Sequence, residues 1–391
     1  MSPLEPLTLL AIFSLCYALC WGLTARVRGL GVSVTIVELT IGFILGNWFL
    51  PLEAAKAIGG ISEIGALALF FLVGLHADLR EIKMFRRDIL SVTGIGAAAA
   101  LSAVLAIYDP LGLTRPEALF AAATVMATGV GVVMRVLQEY GHATTRTGRL
   151  LLACSAVEDF PAILLLCAAP LIASDAGLTL RAGGALLVKT GLAISCVVAA
   201  RYFLASKKIP PIPAALLLPA IIIAAWGTSA LGFTSLLGAF LIGVLCGKDK
   251  EQGYEAYLKP VMDFFIPIFF IMVGMRIKAE TLLAPQSWML ASVLISVAFA
   301  SKLLCFSGIQ ERTRAAGIDP WTVTLGMLPR GLPGLVFATV ALNSGLIRDV
   351  VFSALVIMVT VTNTVGLTLL SSRLRGQPDS GRKASAVPDG E

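Results

Sequence analysis

The stretch RLLLACSAVEDFPAILLLCAAPLIA, residues 149–173, carries two adjacent carboxylates, Glu158 and Asp159, in an apolar run long enough to cross a bilayer. A charged side chain at that depth costs at least ~2.5–3.5 kcal/mol on insertion scales, and such residues are usually functional. On a helix the two side chains point about 100° apart, so one can face a water-filled cavity while the other takes a fixed partner. We therefore predict an ion-binding carboxylate inside a membrane. The alternative is a buried ion pair that only locks two helices together.

Two neighbours of these carboxylates favour the ion-binding interpretation. Ser155 lies four residues before Asp159, so it shares the same helix face and can offer a second oxygen. Pro161 has no amide proton to donate to the carbonyl of Val157, which loosens the helix beside the carboxylates. These positions predict a cation-binding site of a membrane transporter.

The composition is typical of a helical membrane protein. Of the 391 residues, 57% are hydrophobic and 14% are charged, and the mean hydropathy is +0.89. A soluble domain is usually about a quarter charged. The seven cysteines lie in or at the ends of apolar runs without a CxxC spacing, so we expect small core residues rather than disulfides or metal ligands. The sequence has no nucleotide or nucleic-acid motif, and we expect no cofactor, no nucleic-acid partner and no enzymatic activity.

Hydrophobic segments of roughly 17–25 residues predict an all-α polytopic membrane protein with about 13 transmembrane helices. The thirteen segments are 7–25, 33–51, 58–76, 89–107, 116–137, 149–173, 183–205, 213–231, 233–247, 261–278, 286–306, 321–343 and 348–371. The eighth and ninth are separated by little more than Gly232, so twelve helices are an alternative. We expect residues 1–371 to form the transporter domain and residues 372–391 to be a disordered cytoplasmic tail.

The basic residues predict the orientation of the chain in the inner (plasma) membrane of a cell. Of the 30 Lys and Arg residues, 21 fall in loops and the tail on one side, six on the other and three within segments. Because basic residues collect on the cytoplasmic side, we predict an N-terminus outside and a C-terminus in the cytoplasm. The first segment has no basic start, so we expect a retained helix rather than a cleaved signal.

Two segments break the helical pattern. The fifth, FAAATVMATGVGVVMRVL, carries Thr128 and Gly129 at mid-depth, and the twelfth, TLGMLPRGLPGLVFATVAL, carries Pro329 and Pro333. Irregular backbone at membrane depth survives only where it is buried in protein or lines a cavity. Interrupted helices at matching places in two halves are typical of a transporter site between inverted repeats, and these two segments are seven apart in the chain order. For each Gly/Pro-containing break taken alone, the alternative is a kink that serves only helix packing.

Two basic residues lie inside apolar segments close to these features. Lys302 is deep in the eleventh segment with apolar neighbours on both sides, so it needs a carboxylate, and Glu158 or Asp159 is the available partner. Arg330 lies among the prolines of the twelfth segment. We expect Arg330 to satisfy carbonyl groups freed by the break rather than to bind a cation, which its charge would oppose.

Other titratable residues are weaker candidates. Asp263 is predicted to open the tenth helix as an N-terminal charge. His76 and His142 are predicted to be ordinary solvated residues in cytoplasmic loops. Lys189 is expected to snorkel toward the interface or contact lipid.

Four blocks resemble the monovalent cation/proton antiporter superfamily. They are IGALALFFLVGLHADLREI (64–82), AAATVMATGVGVVMRVLQEY with TGRLLLACSAVEDF (121–160), FFIPIFFIMVGMRI (264–277) and GMLPRGLPGLVFATVAL (326–342). Their order and spacing agree over about 33–371. The resemblance implies that the two broken helices cross in a core made of about 89–173 and 286–371, while the remaining helices form a dimerisation scaffold. It also implies a homodimer in membrane lipid that works by elevator-like alternating access.

The resemblance also implies roles for individual residues. Asp159 matches the essential cation-binding Asp, and Thr128 matches the residue of the unwound helix near the ion. Lys302 matches the core Lys of current-generating members, in which the position of Glu158 is usually Asp. Arg330 matches an Arg of the second broken helix, and Gly129 lies in the first break and supports it. Where many relatives have an acidic residue after Arg-Gly, this chain has Leu-Pro.

The favoured hypothesis is therefore a secondary active antiporter that exchanges Na⁺, with Li⁺ or K⁺ as alternatives, for protons and serves pH homeostasis. A channel-like K⁺ efflux system on the same fold is one alternative, and a cation-coupled symporter of an organic anion is another. An intramembrane aspartyl protease would need two Asp residues that converge from different helices, usually with a GxGD-type motif, which the sequence lacks.

Overall fold

A computed structural model describes residues 6–27, 34–50, 59–76, 84–158, 213–231, 234–246, 254–330 and 332–375. Every regular element in these ranges is a helix. Asp159, Lys189 and the whole predicted seventh segment (183–205) lie outside the described residues.

Fourteen helices of seven or more residues occur in the described ranges. They are α1 (Pro6–Val27), α2 (Val34–Ile44), α3 (Gly59–His76), α4 (Arg86–Ile107), α5 (Arg115–Met126), α6 (Val130–Glu139), α7 (described over 146–158), α8 (Ala214–Ala230), α9 (Ser235–Cys246), α10 (Tyr254–Met275), α11 (Pro285–Leu304), α12 (Pro320–Gly326), α13 (Leu332–Asn343) and α14 (Asp349–Arg375). Single turns of helix occur at Leu45–Phe49, Ala279–Leu283, Cys305–Gly308 and Glu311–Ala315. Twelve of the thirteen predicted segments therefore coincide with described helices, and the eighth and ninth are separate helices.

Five helices in the described ranges are long and apolar enough to cross a membrane. They are Arg86–Ile107, Arg115–Glu139 (counted across its break), Ala256–Met275, Pro285–Gly308 and Asp349–Arg375. Six further apolar helices are shorter, at 10 to 17 residues.

The chain divides into two units, which are described separately. The described residues of unit 1 fall within 1–78, 163–289 and 336–354, and those of unit 2 fall within 79–162, 290–335 and 355–391. The predicted division into a transport core and a dimerisation scaffold stays a prediction.

Unit 1 is held together by glycines that bring helix backbones into direct contact. The side of α2 that carries Gly42 packs on the backbone of Ile271 in α10, and Gly274 of α10 packs on the backbone of Leu39. Small residues at such contacts are typical of membrane helices, whose association rests on close van der Waals packing. Asn47 secures the same pair of helices, because its Nδ2 donates to the carbonyl of Ile277 at 2.8 Å.

Both broken helices of unit 2 begin at a well-defined cap followed by proline. Thr114 and Glu117 form a capping box at the start of α5, in which the Thr114 amide donates to Glu117 Oε2 at 2.8 Å. At the start of α12, Asp319 Oδ1 accepts from the amide of Trp321 at 3.1 Å, and Pro320 is the first helical residue. These caps fix where each interrupted helix starts.

The two breaks meet inside unit 2. Residues 127–129 separate α5 from α6, and the break between α12 and α13 includes Pro329. The amide of Gly129 donates to the carbonyl of Pro329 at 2.9 Å, so each break satisfies part of the other's backbone. Gly366 of α14 packs directly against Pro329, since a Cβ there would lie 2.8 Å from its nitrogen. The prediction of two broken helices that cross is confirmed.

Two weaker predictions are wrong. Asp263 does not open its helix: α10 begins at Tyr254, and Asp263 pairs with Lys259 at 3.3 Å on an exposed face. The hydropathy pattern placed the start too late because the first turns of α10 are polar. His142 is not solvated but buried, in the turn between α6 and α7.

Candidate functional site

The centre of the site is a buried ion pair between α7 and α11. Glu158 Oε2 accepts a hydrogen bond from Lys302 Nζ, and both side chains are 1% exposed. Glu158, one of the two carboxylates that the sequence offered as partners for Lys302, therefore contacts it. Two opposite charges removed from solvent hold each other strongly, because either one alone would be an uncompensated charge at membrane depth.

The first break supplies further polar groups to this pair. The Thr128 hydroxyl donates to Glu158 Oε2 at 2.5 Å and accepts from Lys302 Nζ at 3.2 Å. Lys302 Nζ also donates to the carbonyl of Met126 at 3.3 Å. Met126 is the last residue of α5, so Lys302 lies at the partially negative C-terminal end of that half-helix.

Arg330 lies fully buried at the second break. Its Nη2 donates to the carbonyl of Ala298 at 2.8 Å, and its Nη1 lies 3.5 Å from the carbonyl of Met126. Within the described part of the chain, no carboxylate forms an ion pair with Arg330. Two cationic side chains, Lys302 and Arg330, thus converge on the carbonyl at the end of α5.

Two side-chain oxygens of the site lack a hydrogen-bond partner within the described residues. Ser155 Oγ and Glu158 Oε1 are both buried, and neither has a hydrogen-bond partner among the described residues. Buried polar atoms without a partner are rare in folded proteins and call for an explanation such as a ligand. Asp159 follows Glu158 directly in the sequence, and its side chain lies outside the described residues.

Oxygen donors are suited to hard cations, since carboxylate, hydroxyl and carbonyl oxygens bind such ions in proteins. The described residues include no group of three or more His, Cys, Asp or Glu side chains that could hold a metal ion. The described residues thus offer carboxylate and hydroxyl oxygens, which are groups that can bind a hard cation or a proton.

Sequence reasoning did not identify three buried residues of unit 2. Gly96 of α4 lies against Glu158 and carries no pattern that marks it as special. Asn363 of α14 and Thr324 of α12 are buried, and their side-chain oxygens have no partner within the described ranges.

Comparison with known proteins gives a consistent result. A family model described as "Sodium/hydrogen exchanger, transmembrane" matches residues 12–372. The high-affinity Na⁺/H⁺ antiporter NhaS3 of Synechocystis sp. is 25% identical over 374 residues, which are 90% of this chain and 80% of that protein. The Na⁺/H⁺-K⁺ antiporter GerN of Bacillus cereus is 25% identical over 372 residues, or 91% and 93% of the two chains.

A solved structure has the same fold. The sodium proton antiporter MjNhaP1 from Methanocaldococcus jannaschii at pH 8 superposes with a TM-score of 0.67 at 16% identity, covering 96% of this chain and 100% of that chain. This likeness confirms the predicted all-helical fold.

The chain belongs to the sodium/hydrogen exchanger family, whose model covers most of its length. The predicted resemblance to cation/proton antiporters is thereby confirmed. Family membership makes the chain a multi-pass membrane protein of ion transport by antiport, and a transporter rather than an enzyme in the catalytic sense.

Proposed function

We propose that this chain exchanges a monovalent cation, Na⁺ before Li⁺ or K⁺, for protons across the plasma membrane by elevator-like alternating access. The observation that carries the proposal is the buried pair of Glu158 and Lys302, which lies where the two helix breaks meet. The choice of Na⁺ is supported by the names of the relatives, of which NhaS3 is a Na⁺/H⁺ antiporter.

The proposed mechanism is competition for one carboxylate. An apolar membrane-spanning segment disfavours a bare carboxylate, so Asp159 is either protonated or bound to a cation. Ser155, whose Oγ has no partner in the described part of the chain, contributes a second oxygen to the cation. A loaded carboxylate is neutralised and lets the core move, whereas the unloaded, charged carboxylate does not cross. We further propose that the chain works as a homodimer in membrane lipid.

The test is reconstitution in liposomes that contain a pH-sensitive dye, with Na⁺, Li⁺, K⁺ and Rb⁺ added separately. Exchange predicts that external Na⁺ drives alkalinisation of acid-loaded vesicles and that the response saturates with Na⁺ concentration. No response to any cation in vesicles that contain folded protein would refute the proposal. Transport far above exchanger turnover, or a single-channel conductance, would identify a channel instead.

Thr128→Val should weaken apparent cation affinity without abolishing turnover. The substitution keeps the volume but removes the hydroxyl that bonds Glu158 at 2.5 Å, and water can replace one neutral oxygen. Thr124→Val is the matched control, because the Thr124 hydroxyl bonds the carbonyl of Phe120 in its own helix at 2.9 Å. The measurement is the Na⁺ concentration for half-maximal exchange in both variants. Equal values would show that Thr128 does not take part in cation binding.

The orientation of the chain is a separate prediction. A tag placed after Glu391 should be reached only from the cytoplasm, and a tag before Pro3 only from outside, because 21 of the 30 basic residues fall on the predicted inner side. Protease accessibility in intact cells and in inverted vesicles measures this. Both tags on one side would contradict the count of thirteen crossings and the inverted repeats.

A further inference from the structure

Gly96 lies at the centre of the buried face of α4. The buried residues of this helix recur at helical spacing, and Gly96 falls between Thr93 and Ala100 in that row. A glycine in mid-helix is about 0.5–1 kcal/mol less favourable than alanine, so its presence calls for a reason.

The space beside Gly96 holds the ion pair. A Cβ built on Gly96 would lie 2.7 Å from Cys305 Sγ, 3.1 Å from Glu158 Oε1 and 4.0 Å from Lys302 Nζ. Glu158 Oε1 is the carboxylate oxygen that has no hydrogen-bond partner among the described residues. The space that the absent side chain of Gly96 leaves, called the slot below, therefore contains Glu158 Oε1, the oxygen of the ion pair without a hydrogen-bond partner among the described residues.

The two oxygens of Glu158 have different surroundings. Oε2 is held by Lys302 and by the Thr128 hydroxyl, whereas Oε1 lies against the Cβ position of Gly96 and has no hydrogen-bond partner in the described part of the chain. Anything that fills the slot moves the carboxylate toward the partners of Oε2. The contacts at 2.7 and 3.1 Å are side-chain atoms, which can shift, so the protein can still fold with a methyl group there.

We propose that Gly96 is a positioning residue for ion exchange: by withholding a side chain, it sets where the Glu158 carboxylate lies and how firmly it holds Lys302. The inference rests on the proposed function and deepens it. A carboxylate pushed onto Lys302 and Thr128 is harder to separate from them, so a cation binds less readily while the movement of the loaded core is unchanged.

The expected result for Gly96→Ala is a rise of about tenfold in the Na⁺ concentration for half-maximal exchange, which is ~1.4 kcal/mol. The maximal rate per folded protein should stay within about twofold of the original. A purely structural role would instead lower the maximal rate and leave the half-saturating concentration unchanged.

Two kinds of second variant make the test specific. Gly94→Ala is the matched control, because Gly94 is exposed on the same helix and, apart from the backbone of that helix and its chain neighbours, no atom of the described residues lies within 4 Å of its Cβ position. In the Gly96→Ala background, Glu158→Asp shortens the acid by one methylene and draws the carboxylate out of the slot. Cys305→Ala in that background removes only the sulfur contact at 2.7 Å.

The proposal expects Gly94→Ala to behave like the original chain. The proposal also expects Glu158→Asp to lower the cation affinity less in the Gly96→Ala background than in the original chain. The proposal is overturned if Gly96→Ala binds Na⁺ with the original affinity. It is also overturned if adding Cys305→Ala to Gly96→Ala restores the original affinity, since the slot would then only make room for the thiol of Cys305.

A second measurement is independent of exchange. Thermal unfolding in detergent of the original chain, Gly96→Ala, Glu158→Asp and the double variant should give non-additive midpoints, with the double variant more stable than the sum of the single effects. Additive midpoints would overturn the proposal even if no cation is transported. Coupled midpoints in a chain that exchanges nothing would refute the proposed function and leave the positioning role supported.

Discussion

Asp159→Asn should abolish cation/proton exchange while the protein still folds. The amide cannot compensate the charge of a bound cation and does not exchange a proton at working pH, so neither cargo can be carried. The substitution leaves Glu158 and Lys302 unchanged, so their buried pair should keep α7 and α11 in contact. Dye-loaded liposomes measure the exchange, and thermal unfolding in detergent measures the fold.

Asp263→Asn is the matched control for this substitution. Asp263 pairs with Lys259 at 3.3 Å, and its side chain is 54% exposed. Exposed ion pairs contribute about 0–1 kcal/mol, so this variant should exchange cations normally. Exchange by Asp159→Asn at near the original rate would place the ion site elsewhere in the chain.

Much of the fold could be predicted because hydrocarbon permits few backbone structures. A helix satisfies its own backbone groups, so long apolar segments had to be helices, and breaks had to occur where Gly and Pro interrupt them. The predicted fifth segment, 116–137, thus coincides with α5 and α6 and their break around Thr128.

The partner of Lys302 could not be predicted, because adjacent residues on a helix face different directions. Whether Glu158 or Asp159 meets Lys302 depends on the rotation of α7 relative to α11, which is set by tertiary packing. The slot beside Gly96 escaped prediction for the same reason: an absent side chain leaves no trace in a hydropathy pattern. His142 was mistaken for a solvated residue because a loop sequence does not reveal how its turn packs.

The charges around the breaks explain why an acidic pair belongs here. Lys302 donates to the carbonyl of Met126, and the guanidinium of Arg330 approaches the same carbonyl. Arg is protonated at all working pH values, so Arg330 is a permanent charge in the core. Glu158 balances Lys302, and the second acid, Asp159, is the carboxylate that the proposed mechanism loads with a proton or a cation.

Removing the charge of Lys302 should have the largest effect on stability. Lys302→Met leaves Glu158 as an uncompensated buried carboxylate, which typically costs about 3–5 kcal/mol. Lys278→Met is the matched control: Lys278 pairs with Asp349 at 2.6 Å, but its side chain is 61% exposed. That variant should lose about 0–1 kcal/mol. Thermal unfolding of both variants in detergent compares the two losses, and equal losses would show that burial does not strengthen the Lys302 pair.

Lys302 also decides whether transport carries current. If cation binding at Asp159 separates Glu158 from Lys302, the lysine releases a second proton, and one cation exchanges for two protons. If the pair persists throughout the cycle, Asp159 alone exchanges one proton for one cation. We expect the first result, because an ion-paired lysine in a transport core is more often a moving part than a fixed lock.

In liposomes clamped with K⁺ and valinomycin, an inside-negative potential should therefore change the rate of Na⁺-driven proton movement. The double variant Glu158→Gln with Lys302→Met removes both charges, which is often nearly neutral for stability, and should exchange at a rate independent of the potential. If the exchange rate of the original chain does not depend on the imposed potential, the role of Lys302 is only to hold α7 and α11 together. The net movement of charge would then be zero, and Asp159 would be the sole group that exchanges its proton for the cation.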